Sequence, residues 1–436
     1  MLATLLAPVL ARRNIHYGWA VVAATFLVLL STAAAMGMPG VLLRPLMTEF
    51  GWSTSAVSGP LSMRLLLYGL IAPFAAALMQ RYGIRKTVAV ALLLIVSGIG
   101  LATQITALWQ LWLTWGLMLG LGTGMTAMVL GATVANRWFT ARRGVVMGLL
   151  SASSATGALI FLPLAAWLAD TYGWRVALLP AAMACAVAGG LLWLFGRDHP
   201  GELSLPAFGE RVVVAPPRPT AGAATMALRT LGEASGSRGF WLLFFTFFVC
   251  GLSTNGLIGN HFIPLCQDFG MTEVAAAGVL AMMGMFDFAG TIGSGWLSDR
   301  FDSRKLLFAY YGLRGLSLLA LPFSTFSVYG LSIFAVFYGL DWIATVPPTV
   351  RLSGQLFGRE KASVVFGWVF FGHMLGAAVA ASGAGITRDV LSSYVPAFLI
   401  SGAFCVLAAL ASLAVPRAAP PVPVPVAPPG ARPATA

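Results

Sequence analysis

Charge is what this sequence has least of. Asp, Glu, Lys and Arg make up only 9% of the 436 residues, and just 14 of those are acidic. A water-soluble domain carries roughly a quarter of its residues charged, so a soluble globular fold is excluded. Cysteine and histidine are equally scarce, at four each. Cys185, Cys250, Cys266 and Cys405 lie in or at the ends of apolar blocks at unrelated spacings, which fits neither a disulfide framework nor a metal centre. No nucleophile–base pair and no phosphate-cradling glycine loop occurs, which argues against an enzyme, against ATP as energy source and against any cofactor. No cleavable signal peptide is expected, because Arg12 and Arg13 follow the apolar run Leu2 to Leu10 instead of preceding it.

What is abundant is apolar sequence: 58% of residues are hydrophobic and the mean hydropathy is +0.86. Blocks of about 20 apolar residues recur, each long enough to cross about 30 Å of hydrocarbon. They are continuously apolar and lack the alternation of an outer-membrane barrel, so the expected fold is all-α. Twelve spans are predicted, at 17–41, 55–79, 87–107, 108–135, 144–168, 174–195, 239–265, 273–297, 306–323, 328–350, 362–386 and 394–415. About 21 of the 26 Lys and Arg then fall on one side, which places both termini in the cytoplasm of an inner (plasma) membrane and makes the +12 charge a topology signal, not a nucleic-acid footprint. Residues 1–16 form the N-terminus, 17–195 and 239–416 two six-helix bundles, 196–238 a polar, proline-bearing linker, and 417–436 a Pro/Ala/Val tail too uniform to build a core.

The two bundles repeat. Pro45-Leu46-Met47-Thr48-Glu49-Phe50-Gly51 returns as Pro264-Leu265-Cys266-Gln267-Asp268-Phe269-Gly270, an interval of 219 residues. At the same interval Arg81, Arg85 and Lys86 return as Arg300, Arg304 and Lys305, and Gly148 and Gly157 as Gly367 and Gly376. Agreement at one offset over this distance means a duplicated unit, expected to be related by an axis along the membrane normal.

The turn Gly295, Asp299, Arg300, Arg304 and Lys305 resembles the signature between helices 2 and 3, and 8 and 9, of the major facilitator superfamily. Its first copy is degenerate, with Ala76 and Gln80 where Gly and Asp are expected. The resemblance implies a cytoplasmic gate made by Arg81, Arg85, Lys86, Asp299, Arg300, Arg304 and Lys305. Arg137-Trp138-Phe139-Thr140-Ala141-Arg142-Arg143-Gly144 and the opening Tyr17-Gly18-Trp19 are similar to the monocarboxylate and oxalate:formate transporter branch. That branch places a substrate-holding arginine four residues after an acidic residue in helix 8; here the acid is Asp287 and the later position is Thr291.

Ionisable groups at bilayer depth are costly and each needs a reason. Counting 1.5 Å per residue from the helix ends puts Asp287, Arg314, Asp341 and His373 near the midplane. Arg314 and Asp341 form the simplest buried pair, and Asp287, left over, is the candidate proton-coupling group with the other two setting its potential. Arg64 either snorkels to the outer headgroups or faces the cavity and holds an anion. Tyr68, the repeat mate of Asp287, together with Asn255, His261, Thr291 and His373, completes the candidate substrate site. Pro347 and Pro348 remove two donors and should kink or unwind helix 10. The expected function is alternating-access transport of a small organic anion, proton-coupled or by exchange, in a monomer. Export of amphipathic drugs or neutral solutes and a non-transporting sensor are the alternatives.

Overall fold

An apolar segment without water must satisfy its own N–H and C=O groups, and the helix does this within one segment. The computed structural model describes residues 2–215 and 222–417; the Pro216–Pro217 part of the expected linker and all of the expected tail beyond Arg417 lie outside them. The described residues are helical throughout the apolar blocks, and their only β-type pairing is a single parallel bridge between Phe139 and Phe208. We label the spanning helices α1 (Gly18–Phe50), α2 (Thr54–Tyr82), α3 (Ile84–Ala102), α4 (Leu108–Trp138), α5 (Arg143–Tyr172) and α6 (Trp174–Phe195). After the linker come α7 (Arg238–Asp268), α8 (Glu273–Arg300), α9 (Ser303–Ala320), α10 (332–357), α11 (359–391) and α12 (Val395–Leu413). α10 and α11 run on from one another, and the left-handed Gly358 (φ 77°) is the corner between them.

The twelve expected spans are all present, with several longer than their apolar blocks. α1 continues to Phe50 and α7 to Asp268, where Gly51 and Gly270 stop them in the left-handed region (φ 67° and 85°). Ser53 and Thr272 then cap α2 and α8 by accepting from the N–H of Ala56 and Ala275. α4 and α7 each contain a wide π-type turn, Trp112–Leu119 and Leu252–Ile258, which their composition does not announce. The linker is more ordered than proline and polarity suggest. It holds a short 3₁₀ turn, Pro200–Leu203, and an amphipathic helix, Ala223–Ser235, that lies across α2 and α11.

The duplication reappears as packing. Gly148 on α5 rests against the backbone of Thr291 and Ile292 on α8, and Gly367 on α11 rests against Ala72 and Pro73 on α2, each partner being the repeat mate of the other. Within each half, Gly157 abuts the carbonyl of Leu30 and Gly376 that of Phe248. The repeated acids do equivalent work at the opposite face. Glu49 pairs with Arg175 at 2.7 Å and Asp268 with Arg388 at 2.9 Å, each tying two helices of its own half.

The halves meet along α5–α8 and α2–α11, nearest the face that carries the N-terminal segment, the linker and Arg417, here called the terminal face. At Gly295 a Cβ would stand 2.3 Å from the Gly144 oxygen, so two backbones touch where nothing larger than hydrogen fits. Gly295→Val is therefore expected to pry this face apart, raising amide hydrogen exchange over residues 143–148 by tenfold or more; unchanged exchange would show that the contact does not hold the halves together.

Candidate functional site

The midplane polar groups of the second half converge on a gap in α10. The helix stops at Asp341, turns through 342–345 and resumes at Val346 with Pro347 and Pro348 in its first turn. Proline at a helix start needs no partner for its missing N–H, but the turn before it leaves main-chain groups unpaired in an apolar layer. Side chains from α8 and α9 take them up. Arg314 Nη2 donates to the carbonyls of Asp341 (2.5 Å) and Trp342 (3.1 Å). Asp287 Oδ1 accepts from the N–H of Ile343 at 2.9 Å, and Ser294 donates to the carbonyl of Ala344 at 2.5 Å. The backbone expected to unwind does so one turn before the prolines.

Arg314 also reaches Asp341 Oδ2 at 2.6 Å and, on α7, Cys250 Sγ at 3.2 Å and Ser253 Oγ at 3.4 Å. It is 1% exposed and sits over the rings of Tyr311 and Tyr338. Asp287 is not in this pair. Its second hydrogen bond comes from Thr291 Oγ1, one turn on, at 2.9 Å. The residue standing where an arginine was expected is thus a donor to the very carboxylate that arginine would have accompanied.

Arg64 does not extend to the headgroups. It is buried, and its Nη1 donates to the carbonyls of Met36 (2.8 Å) and Ala35 (3.5 Å) on α1, while its Nε has no hydrogen-bond partner. No ion pair involves it among the described residues. One turn along α2, Tyr68 meets Phe370 of α11 edge-on at 5.5 Å, and Phe370 stacks on His373 at 5.7 Å. The His373 ring bonds Asn255 Nδ2 at 3.3 Å through Nε2 and leaves Nδ1 without a partner. Asn255 is exposed although it is midway along α7, within the π-type turn Leu252–Ile258. A ribbon of polar and aromatic groups therefore runs from Arg64 in one half to Asn255 in the other. His261 is elsewhere: it bonds the carbonyl of Ala381 at 2.9 Å and faces Tyr394, joining α7 to α11 further toward the opposite face.

At the terminal face the basic residues of the duplicated turn separate by task. Arg85 bonds the carbonyl of Trp193 (2.6 Å) and its N–H bonds Asp198 (2.8 Å), tying α3 to the end of α6. Arg304 pairs with Asp302 at 2.6 Å and bonds the carbonyl of Val415 at 3.2 Å, tying α9 to the end of α12. Arg300 lies over the Trp296 ring of its own helix, Arg81 lies over the Tyr82 ring, and the side chains of Lys86 and Lys305 are exposed. Asp299 is the member that crosses between halves: its carboxylate accepts from the N–H groups of Gly144 (2.8 Å) and Val145 (3.0 Å), capping α5 from the other half. Its repeat mate Gln80 also crosses, donating to the carbonyl of Glu360 at 2.5 Å.

A second crossing comes from residues the sequence reading passed over. Arg359 follows the corner at Gly358 and caps the opposite end of the same connection, donating Nε to the carbonyl of Asn136 and Nη2 to that of Arg137 (3.1 Å) at the C-terminus of α4. Its Nη1 meets Glu210 of the linker at 2.6 Å, and Glu210 accepts from Thr140 at 2.6 Å. Burial works against the charged form of Glu210, but Thr140 and Arg359 prevail and hold its carboxyl below the usual range. The available signal was a glycine–arginine step opening a helix, which alone does not reveal its target.

Twelve helices in two repeated halves, with a buried polar cluster midway along them and close backbone contacts between the halves at one face, are the setting in which the family of this chain is read. The chain belongs to the Major Facilitator Superfamily, whose family description matches residues 25–381. It is 27% identical to rat (Rattus norvegicus) monocarboxylate transporter 13 over 394 residues, 89% of this chain and 86% of that protein. It is 23% identical to the uncharacterized MFS-type transporter YcxA of Bacillus subtilis over 386 residues, 85% of this chain and 88% of that protein. Among solved structures, the E. coli fucose:proton symporter FucP aligns with a TM-score of 0.67 at 15% identity, covering 91% of this chain and 98% of that one. The proton:xylose symporter XylE aligns with a TM-score of 0.67 at 14% identity, covering 92% and 96%. The chain is a multi-pass membrane transporter and not an enzyme.

Arg314 satisfies a carboxylate and two carbonyls, and its loss strands the Asp341 carboxylate and the Trp342 carbonyl, while the Asp341 carbonyl keeps the N–H of Ala344. Arg314→Leu is expected to destabilise the protein in detergent by about 3–5 kcal/mol, with Arg314→Leu/Asp341→Leu recovering part of it. A single variant that unfolds at the wild-type temperature would remove the pair from the structural account.

Proposed function

We propose that the protein moves a small organic anion, carboxylate-like, across an inner (plasma) membrane by alternating access, as a monomer with both termini in the cytoplasm, coupled to protons or to exchange. The single observation that carries the anion is Arg64: a buried guanidinium with an unused Nε and no ion pair among the described residues. Burying a cation unpaired is costly, and an anionic substrate supplies the missing partner when bound. The unpartnered Nδ1 of His373 and the exposed Asn255 offer further polar contacts from the second half, and Tyr68 the facing wall. The naming of curated relatives as monocarboxylate transporters agrees with this class of substrate.

Asp287 is the coupling group in this reading. It binds the N–H of Ile343, so its charge state bears on the break in α10. A carboxylate accepts that bond better than a carboxylic acid, and protonation therefore loosens the turn 342–345. Arg314 and Asp341 hold the neighbouring carbonyls in place and set the local potential. The sealed terminal face corresponds to one end state of the cycle, and Arg81, Arg85, Lys86, Asp299, Arg300, Arg304 and Lys305 form the region that must part to reach the other. The sequence alternatives, drug export and non-transporting sensing, draw no specific support from the geometry.

Two variants in proteoliposomes test this reading. Arg64→Gln is expected to weaken uptake of a carboxylate such as pyruvate by about tenfold or more; unchanged affinity would remove Arg64 from the site. Asp287→Asn is expected to abolish accumulation driven by a proton gradient while leaving counterflow exchange, and pH-driven accumulation that persists in the variant would exclude Asp287 as the coupling group.

A further inference from the structure

A cavity of about 600 Å³ lies between the linker and the sealed terminal face, apart from the midplane groups. Asn136 and Arg137 of α4, Arg359 and Lys361 of α11, and Glu210 and Glu233 of the linker line it. The Asn136 side chain is 1% exposed, yet neither its amide oxygen nor its amide nitrogen has a partner. A buried amide left entirely unpaired costs free energy that a bound polar group would recover. Beside it, Arg359 already holds a carboxylate, that of Glu210, at 2.6 Å.

Glu210 is delivered there by its own segment. The N–H of Phe208 donates to the carbonyl of Trp138 (2.8 Å), and the Phe208 carbonyl accepts from Thr140 and Ala141 (2.9 and 3.0 Å), so this part of the linker is fixed to the first half. His16 Nε2 meets the carbonyl of Pro206 at 3.0 Å on the same side. The linker helix Ala223–Ser235 lies across α2 and α11, and on the α11 side Trp368 Nε1 donates to the carbonyl of Ala227 (3.1 Å) and Lys361 pairs with Glu233 (2.5 Å). Glu210 on Arg359 adds a direct contact from the first of these linker segments to the second half.

We propose that this cavity is a second anion site, for a small organic carboxylate arriving from the terminal face, and that the linker's Glu210 occupies it as a built-in competitor. The ligand class rests on the functional reading above. An incoming carboxylate takes the Nη1 of Arg359 in place of Glu210 and accepts from the Asn136 amide. The exchange moves the Nη1 bond of Arg359 from Glu210 to the incoming anion, and the linker segment carrying Glu210 loses that contact with the second half. Anion on the terminal side thus takes over from the linker one of the links between the halves, beside the bonds of Arg359 to the Asn136 and Arg137 carbonyls.

The experiment measures equilibrium binding of succinate to the full-length protein in nanodiscs of neutral phosphatidylcholine, without transport. Glu210→Gln, which weakens the competitor, is expected to raise succinate affinity about tenfold. Thr140→Val, which frees Glu210 from its other side, is expected to shift affinity in the same direction. Adding Arg359→Gln should cancel the gain, and adding Arg64→Gln should leave it intact. Unchanged affinity in both Glu210→Gln and Thr140→Val, or a gain that survives Arg359→Gln, would overturn the proposal. A gain lost with Arg64→Gln would place the binding at the midplane and overturn it as well. Failure of the substrate reading shows separately, as uptake insensitive to Arg64→Gln.

Discussion

Main chain that leaves helical geometry inside a membrane must be hydrogen-bonded by protein, because lipid offers nothing in return. The turn 342–345 in α10 imposes that demand at the midplane, and the ionisable residues of the second half are arranged around it. Arg314 takes two carbonyls, Ser294 a third, and Asp287 an N–H. Charged side chains suit this work because hydrogen bonds to an ionised group are stronger than neutral ones. Structure and proposed function are therefore hard to separate here: Asp287, the group proposed to carry the proton, is also one that holds the break.

The terminal face obeys the same logic at helix ends. The connection between α4 and α5 presents unpaired carbonyls on one side and unpaired N–H groups on the other. The second half supplies a guanidinium to the first and a carboxylate to the second, Arg359 and Asp299, each matched to the sign of the helix end it meets. The reciprocal closure by the first half is weaker in kind, a neutral amide from Gln80 to one carbonyl. An uneven pair of clasps leaves one side of the interface dependent on the linker, which is where Glu210 and the helix Ala223–Ser235 add their contacts.

Architecture was highly legible. Apolar block length predicts the spans, and the interval between Glu49 and Asp268 marks the repeat; both acids form ion pairs within their own halves, though with different helices, Arg175 of α6 and Arg388 of α11. Two prolines predicted the break in α10. Less was legible in the basic turn: Arg85 and Arg304 look like gate residues in a motif, yet each ties helices within its own half. Their long side chains can reach in several directions, and only packing chooses one. Arg359 and Glu210 gave no warning, because their partners lie seventy or more residues away in the chain, and the buried, unpartnered amide of Asn136 leaves no trace in the sequence.

By itself, then, the sequence determined the solvent, the helices, their number and their duplication, since these follow from hydrophobicity and repeat interval summed over many residues. It also determined that Asp287, Arg314 and Asp341 would lie at bilayer depth, while for Arg64 it left burial open. Beyond the pairing of Arg314 with Asp341, which the sequence anticipates, only the tertiary structure decided what those charges meet. Asp287 and Arg314 are both near the midplane by simple counting, but rotation of each helix about its axis, set by close glycine contacts such as Gly290 against Leu340, sends one to an N–H and the other to two carbonyls and Asp341. Depth is a property of one chain segment; partnership is a property of several packed together.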